Sequence, residues 1–552
     1  MSDLITRLQA DLEALRSERY SWFVHWRELA NYILPRRYMW LIPTTQQQRG
    51  QPLNNYIIDS TGTMASRTCA SGMMAGITSP GRPWFKLRIE GFDLQDTSNP
   101  VSLWLAECEK RMMRVFAESN FYTSVATMYE DLVVFGTAPM IIYEDFDDVI
   151  RCYNPCAGEY FLANSPRLQV NTFFREFVYT ARQCADEFGE ENLSENARGL
   201  LRNPGGGNQQ ITICHSICPN KGDMPKIFAY CEYYWERGNP KDQAGDVKFL
   251  RKKGFFEFPV VAPRWATSGN DAYGRSPGMD ALGDIKQLQQ ETKRKAQALD
   301  KMVNPPLVGD VQLKNQPATQ IPGGLTYVSG INNAGLKPIF TVMPPVQEIM
   351  LDIQEIQVRI RNIFFNDLFM MISQLQTVRS ATEIDARREE KLVMLGPVLE
   401  RFDNEALDPI IDRTFNIMLR GGLLPAPPEE IQGQHLQVQY TSMLATAQNA
   451  AATASIERLF AQAGSLVAVQ PDIMDNIDSD AGIADYAEKL DVPPKLIRTP
   501  EQVMQIRNTR IQQKQQADAL MATEGLAKAG KTMSETDVGG GQSALAMLMG
   551  GA

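Results

Sequence analysis

Residues 279–303 read MDALGDIKQLQQETKRKAQALDKMV, and residues 346–372 read VQEIMLDIQEIQVRIRNIFFNDLFMMI. Both stretches are helical in pattern. Val346, Ile349, Ile353, Ile356, Ile360, Ile363 and Phe364 form one apolar stripe on the second. At about 1.5 Å per residue, the first is about 37 Å long. Asn304-Pro305-Pro306 stops it, and Pro344-Pro345 opens the other. Between them, residues 304–345 are rich in Gly and Pro, with short strand-like pieces such as GGLTYVSGIN and LKPIFTVM. Two long helices joined by a compact insertion predict an antiparallel hairpin with a tip. Such hairpins can stand side by side and line a tube. The same stripes also fit an ordinary bundle within one chain, because an amphipathic face usually meets a core.

Upstream of the hairpin, residues 1–34 read as an amphipathic helix. Leu4, Leu8, Leu12, Leu15, Trp22, Trp26, Leu29 and Ile33 recur at helical spacing, and Pro35 ends it. A small-residue helix, DSTGTMASRTCASGMMAGI, runs from Asp59 to about Ile77 and predicts close packing. Ser79-Pro80-Gly81-Arg82-Pro83 closes it. Further helices are expected at about 100–119 and 122–135. Residues 137–265 then turn to β-branched and aromatic runs with turn signals between them. A helical piece at 180–188 and a flexible Gly205-Gly206-Gly207 loop interrupt this β-rich block.

Downstream, the polar segment Ser373–Ser380 leads into a third long helix, broken near Gly396-Pro397 and ending at Arg420-Gly421-Gly422. LQVQYT (436–441) is one late strand. Residues from about Ala445 to Lys531 are Ala/Gln-rich and helical, with an acidic connector from Asp472 to Asp491. The tail, GGGQSALAMLMGGA, has little to anchor it. The fold class is therefore α+β, mainly helical, in several domains, since 552 residues exceed one ordinary core.

The formal net charge of −10 argues against a protein that grips nucleic acid tightly, because such affinity comes largely from Lys and Arg. It allows a conduit that must not hold what slides through it. No stretch approaches the roughly 18 apolar residues of a membrane span, and MSDLITRLQADLEALRSERY lacks the apolar centre of a signal peptide. A cytoplasmic origin without membrane contact is the expectation.

Three candidate chemistries are weak. Cys152-x3-Cys156 and Cys214-x3-Cys218, with His215 alongside, offer four sulfurs for zinc, but the spacing is loose. Reduced cysteines serving as small hydrophobes fit better. His25, His215 and His435 are scattered, and each reads as structural. Gly525–Thr532, GLAKAGKT, matches the P-loop letter for letter. That loop needs a buried strand before it, whereas Gln515–Glu524 reads as helix. The acidic run 472–491 could suggest a metal cluster, and a solvated face is the commoner meaning. The expectation is no enzyme, no cofactor and no metal.

Four stretches in order carry a resemblance: WRELANYILPRR (26–37), DSTGTMASRTCASGMMAGITSPGRPWFKL (59–87), YGRSPGMDALGDIKQLQQETKRKAQALDKMVNPPLVG (273–309), and SATEIDARREEKLVMLGPVLERFDNEALDPIIDRTFNIMLRGGLLPAPP (380–428). Together they resemble the portal, or head–tail connector, family of short-tailed bacteriophages, over residues 20–445. The resemblance implies a dodecameric ring at a capsid vertex, in the virion, assembled in the host cytoplasm. It implies a wing over 1–278, stem helices at 279–303 and 346–372, and a clip at 304–345. A channel loop and wing helix would occupy 373–445, a helical crown 446–530 and a flexible tail 531–552. Implied partners are double-stranded DNA in the channel, a packaging motor (terminase), a tail adaptor, and capsid and scaffold proteins.

By the same resemblance, Gln374, Gln376, Thr377 and Arg379 sit on a loop facing the channel, where one arginine per subunit makes a belt of positive charge. Arg379 could instead pair with Glu383 at the start of the next helix. Clip residues Lys314, Gln316, Tyr327, Asn332 and Lys337 are the candidates for docking other proteins. The competing functions are another virion structural or adaptor protein, and a packaging ATPase or nuclease.

Overall fold

The computed structural model describes residues 2–41, 55–89, 99–238, 249–303, 307–308, 337–338, 345–369, 396–428, 436–440, 456–465, 478–489 and 500–535. Two compact units divide the chain. The first comprises Met1–Leu87, Cys108–Pro425 and Val438–Ala445; the second comprises Arg88–Glu107, Ala426–Gln437 and Thr446–Ala552.

In chain order, α1 (Ser2–Tyr32) and α2 (Thr61–Gly76) precede β1 (Phe85–Ile89), α3 (Asn99–Glu118) and α4 (Phe121–Phe135). The β-rich block separates into two antiparallel sheets. One has three strands in the order β3-β2-β9, built from β2 (Met140–Asp145), β3 (Val149–Tyr153) and β9 (Val260–Val261). The other runs β4-β5-β6-β7-β8, from β4 (Tyr160–Asn164), β5 (Val170–Thr180), β6 (Gln210–Pro219), β7 (Tyr230–Glu236) and β8 (Arg251–Phe255). Strand residues alternate between two faces. Phe161, Phe174, Cys214, Tyr233 and Trp235 pack with Ile5, Leu8 and Leu12 of α1 in one core cluster.

A single rung of register crosses all five strands on the alternate positions: Tyr160, Arg175, His215, Tyr234 and Arg251. His215 stacks on Tyr234, with ring centroids 4.1 Å apart and planes 6° from parallel. The Arg175 guanidinium lies over Phe177 at 4.3 Å, and Arg251 over Tyr234 at 4.6 Å. Arg175 Nε donates to His215 Nδ1 at 2.9 Å. A guanidinium only donates, so Nδ1 carries no proton, and His215 Nε2–H donates to Glu232 at 2.9 Å. Burial pushes the imidazole pKa down to about 4, against the opposing pull of Glu232.

Several details depart from the sequence reading. Gly205-Gly206-Gly207 is not a flexible loop. Gly206–Asn208 is a 3-10 turn with Gly206 and Gly207 buried, entered through Gly205 at φ 80°. A Cβ on Gly206 would lie 2.2 Å from the Leu200 carbonyl oxygen. Helix α5 (Ala181–Phe188) stands where expected, capped by Thr180, whereas α6 (Glu195–Arg202), capped by Ser194, and strand β3 were not anticipated. The third long helix is described from residue 396. Its irregularity is a π-helical turn at Asp403–Leu407 leading into Asp408–Arg420. Glu405 in that turn receives Arg264 through Nε, Nη2 and the backbone N–H, at 2.6–3.2 Å. Arg264 also donates to the Asp271 and Leu168 carbonyls.

In the second unit, Ser479–Lys489 is a helix, so the acidic connector is partly helical. Its Asp480 pairs with Arg507 at 2.6 Å on the helix Pro500–Glu535. That helix continues four residues past Lys531. Strand Leu436–Tyr440 matches the expected late strand.

Candidate functional site

The expected hairpin is present. Helix α7 (Pro277–Val303) and helix α8 (Val346–Ile363) pack side by side. Its foot is held by α2 and the residues before it. Gln289 Oε1 on α7 accepts from the backbone N–H of Ile58 and Asp59, at 2.6 and 2.8 Å, and its Nε2 donates to the Asp59 carbonyl. Gln357 on α8 donates to the Asp59 carboxylate at 2.8 Å, and Arg359 lies 3.6 Å from Asp284. These ties pair rising positions on α7 with falling positions on α8, so the helices are antiparallel.

The small residues of α2 allow this closeness. A Cβ at Gly62 would lie 2.8 Å from Ile285 of α7, and one at Gly72 would lie 2.3 Å from the Phe369 ring. Here the second helix differs from its sequence reading, which carried it to residue 372. It ends at Ile363, because Phe365 adopts φ 56° and turns the chain. A short helical stretch follows at 366–369, burying Phe364, Leu368 and Phe369.

Beyond the foot the burial changes. Ala281, Leu282, Ile285 and Leu288 are core, but Leu299 is 39% exposed and Val303 76%. On α8, Ile353, Ile356 and Ile360 are buried, while Leu351 is 65% exposed in the outer half and Val358 50% at the foot. The hairpin ends in β10 (Leu307–Val308) paired antiparallel with β11 (Lys337–Pro338).

A profile described as "Bacteriophage head to tail connecting protein" matches residues 6–497. The chain is 42% identical to a "Portal protein" of Salmonella phage epsilon15 over 538 residues, 96% of this chain and 95% of that protein. It is 41% identical to a "Probable portal protein" of Bordetella phage BPP-1 over 525 residues, 94% and 93% of the two chains. The chain belongs to the family of bacteriophage head to tail connecting proteins. A chain from the virion of a native gene transfer agent particle aligns over 73% of this connector and 86% of its own length, at TM-score 0.32 and 9% identity, too distant to bear on its fold.

The connector's proposed channel residues, Gln374, Gln376, Thr377 and Arg379, lie outside the described residues, as does Glu383. So do the clip residues Lys314, Gln316, Tyr327 and Asn332. Lys337 begins β11, level with Val308 across the pair. His435, most of the clip and the tail after Glu535 are also outside.

The cysteines do not converge. Cys152 is on β3 and Cys214 on β6, in different sheets. Burial pushes both thiols up to about 12, which opposes the thiolate that zinc requires. Among the described residues, no group of three or more His, Cys, Asp or Glu is arranged to hold a metal ion. Gly525–Thr532 lies inside the helix Pro500–Glu535, so its amide groups serve that helix rather than a phosphate-cradling loop. Sequence reasoning missed the Arg175–His215–Glu232 network. Its signal was a lone polar residue on an apolar strand face, Arg175 between Phe173 and Phe177 and His215 between Ile213 and Ile217.

Proposed function

We propose that this connector is one subunit of a dodecameric portal ring at a capsid vertex, where the α7–α8 hairpins stand as staves around a channel for packaging and ejecting double-stranded DNA. The observation that carries this reading is the contrast along the hairpin. Its foot is fixed by Gln289, Asp59 and Gln357, while its outer half leaves Leu299, Val303 and Leu351 in solvent. Apolar side chains on both outer flanks suit a helix pair that other copies cover. An ordinary intrachain bundle would bury them. In this reading the Arg379 loop faces the channel, and the clip 304–345 docks the packaging motor and later the tail adaptor. Capsid and scaffold proteins contact the ring from outside. The conduit passes its cargo without chemistry of its own. Purified protein, examined by native mass spectrometry and negative stain, is expected to give closed rings. A strictly monomeric protein at micromolar concentration would sink the proposal.

A further inference from the structure

We propose that neighbouring copies meet through oppositely charged outer halves of the hairpin, the basic half of α7 in one copy lying on the acidic half of α8 in the next. This rests on the ring reading and adds to it the surfaces, their polarity and the reason the assembly closes.

The outer half of α7, residues 291–303, holds Lys293, Arg294, Lys295 and Lys301 against Glu291 and Asp300. Arg294 is taken up by Glu291 at 3.1 Å. Lys293, Lys295 and Lys301 make no ion pair among the described residues. The outer half of α8, residues 346–357, holds Glu348, Asp352 and Glu355 and no cation. Glu348 and Asp352 likewise make no ion pair among the described residues, and both are exposed.

Lys293 and the two carboxylates stand at one height. Counting outward from the Asp284–Arg359 pair, Lys293 is about 13 Å up α7, and Asp352 and Glu348 are about 10–17 Å up α8; Lys301, on the same flank of α7 as Lys293, is about 25 Å up. Each helix also carries apolar contact area beside its charges. On α7 this is Leu299 and Val303; on α8 it is Leu351, on the side away from Ile353, Ile356 and Ile360, with Val358 one heptad along the same side at the foot. One hairpin thus presents two surfaces that complement each other but not themselves.

That asymmetry selects the symmetry. A two-fold pairing of α7 with α7 would set lysines against lysines, and α8 with α8 carboxylates against carboxylates. Only the α7-on-α8 contact joins opposite charges. A contact between two different surfaces propagates head to tail and closes into a ring where the rotation allows.

The test uses two charge reversals in the full chain. One variant carries Lys293→Glu and Lys301→Glu, both exposed on one flank of α7; the other carries Glu348→Lys and Asp352→Lys. All four positions are surface sites, and circular dichroism and thermal melts check that each variant folds. At about 50 mM salt, each variant alone should need at least about tenfold more protein for half-assembly than the parent, and about 500 mM salt should narrow the gap. Mixed together, the two variants should form rings of alternating composition, since each supplies the surface the other lacks. The fourfold variant should also form rings. If both variants assemble alone like the parent, or neither mixing nor the fourfold variant restores rings, the assigned surfaces are wrong while the ring reading stands. A parent that never forms rings instead overturns the ring reading itself.

Discussion

The interior of the β-rich body and the outer half of the α7–α8 hairpin handle charge in opposite ways. In the body, buried charges find partners in the same chain. Arg264 clamps Glu405 and two carbonyls, and Arg175 reaches Glu232 through a neutral His215. On the outer hairpin, lysines, carboxylates and apolar side chains share a surface with little pairing among the described residues. The first region is complete within one subunit. The second makes physical sense only beside another copy. Subunit stability and assembly should therefore respond to different substitutions.

The largest loss of subunit stability is expected from Arg264→Met. It strips donors from Glu405 and from the Leu168 and Asp271 carbonyls at a site where Arg264 is only 5% exposed. Removing one partner of such a buried pair costs about 3–5 kcal/mol. Urea unfolding of dilute protein checks this. A change below about 1 kcal/mol would mean that the π-helical turn is not held by this clamp.

The His215 network gives a smaller, pH-dependent effect. The native imidazole stays neutral down to about pH 4, whereas the unfolded one takes up a proton near 6.5. The unfolded state thus binds more protons between those values, and stability falls as pH drops from about 6.5 to 4, by about 3 kcal/mol. Glu109 and Asp403, both raised to about 7 by burial, act in the opposite direction over this range. The parent's own profile is therefore composite, and the difference from His215→Gln isolates the histidine. Glutamine can still accept from Arg175 and donate to Glu232. The stability gap between parent and variant should shift in the variant's favour by about 3 kcal/mol between pH 7 and 4. A gap constant across that range would show that the ring is not held neutral.

The sequence made the hairpin legible because its signals are local. Leu282, Ile285 and Leu288 recur at helical spacing, and Pro305 and Pro345 mark the turn. It misled at Phe364–Phe365, since Ile360, Phe364 and Leu368 keep helical spacing straight through the break. The left-handed Phe365 goes with a Phe369 ring seated against Gly72, a long-range fit with no local signature. The rung from Tyr160 to Arg251 was hidden for a related reason. Each strand shows its polar residue, but the register that aligns five of them is set between strands. The stem charges were visible as KRK at 293–295 and as Glu348 and Asp352. Their common height required the Asp284–Arg359 tie.

The smallest expected effect sharpens the comparison most. Leu351→Gln alters a side chain that is 65% exposed on α8, and glutamine is nearly as good a helix former as leucine. In a dilute monomer, the unfolding free energy should move by no more than about 0.5 kcal/mol. The control is Ile356→Ala, five residues further along the same helix and fully buried, which should cost about 2–5 kcal/mol. Helix, length and measurement are shared, so the contrast reports only what covers each side chain within one chain. If Leu351→Gln destabilised the monomer as much as Ile356→Ala, the outer hairpin would be packed by its own subunit. It would then have no apolar face left for a neighbour, and the distinction between a closed body and an open hairpin would fail.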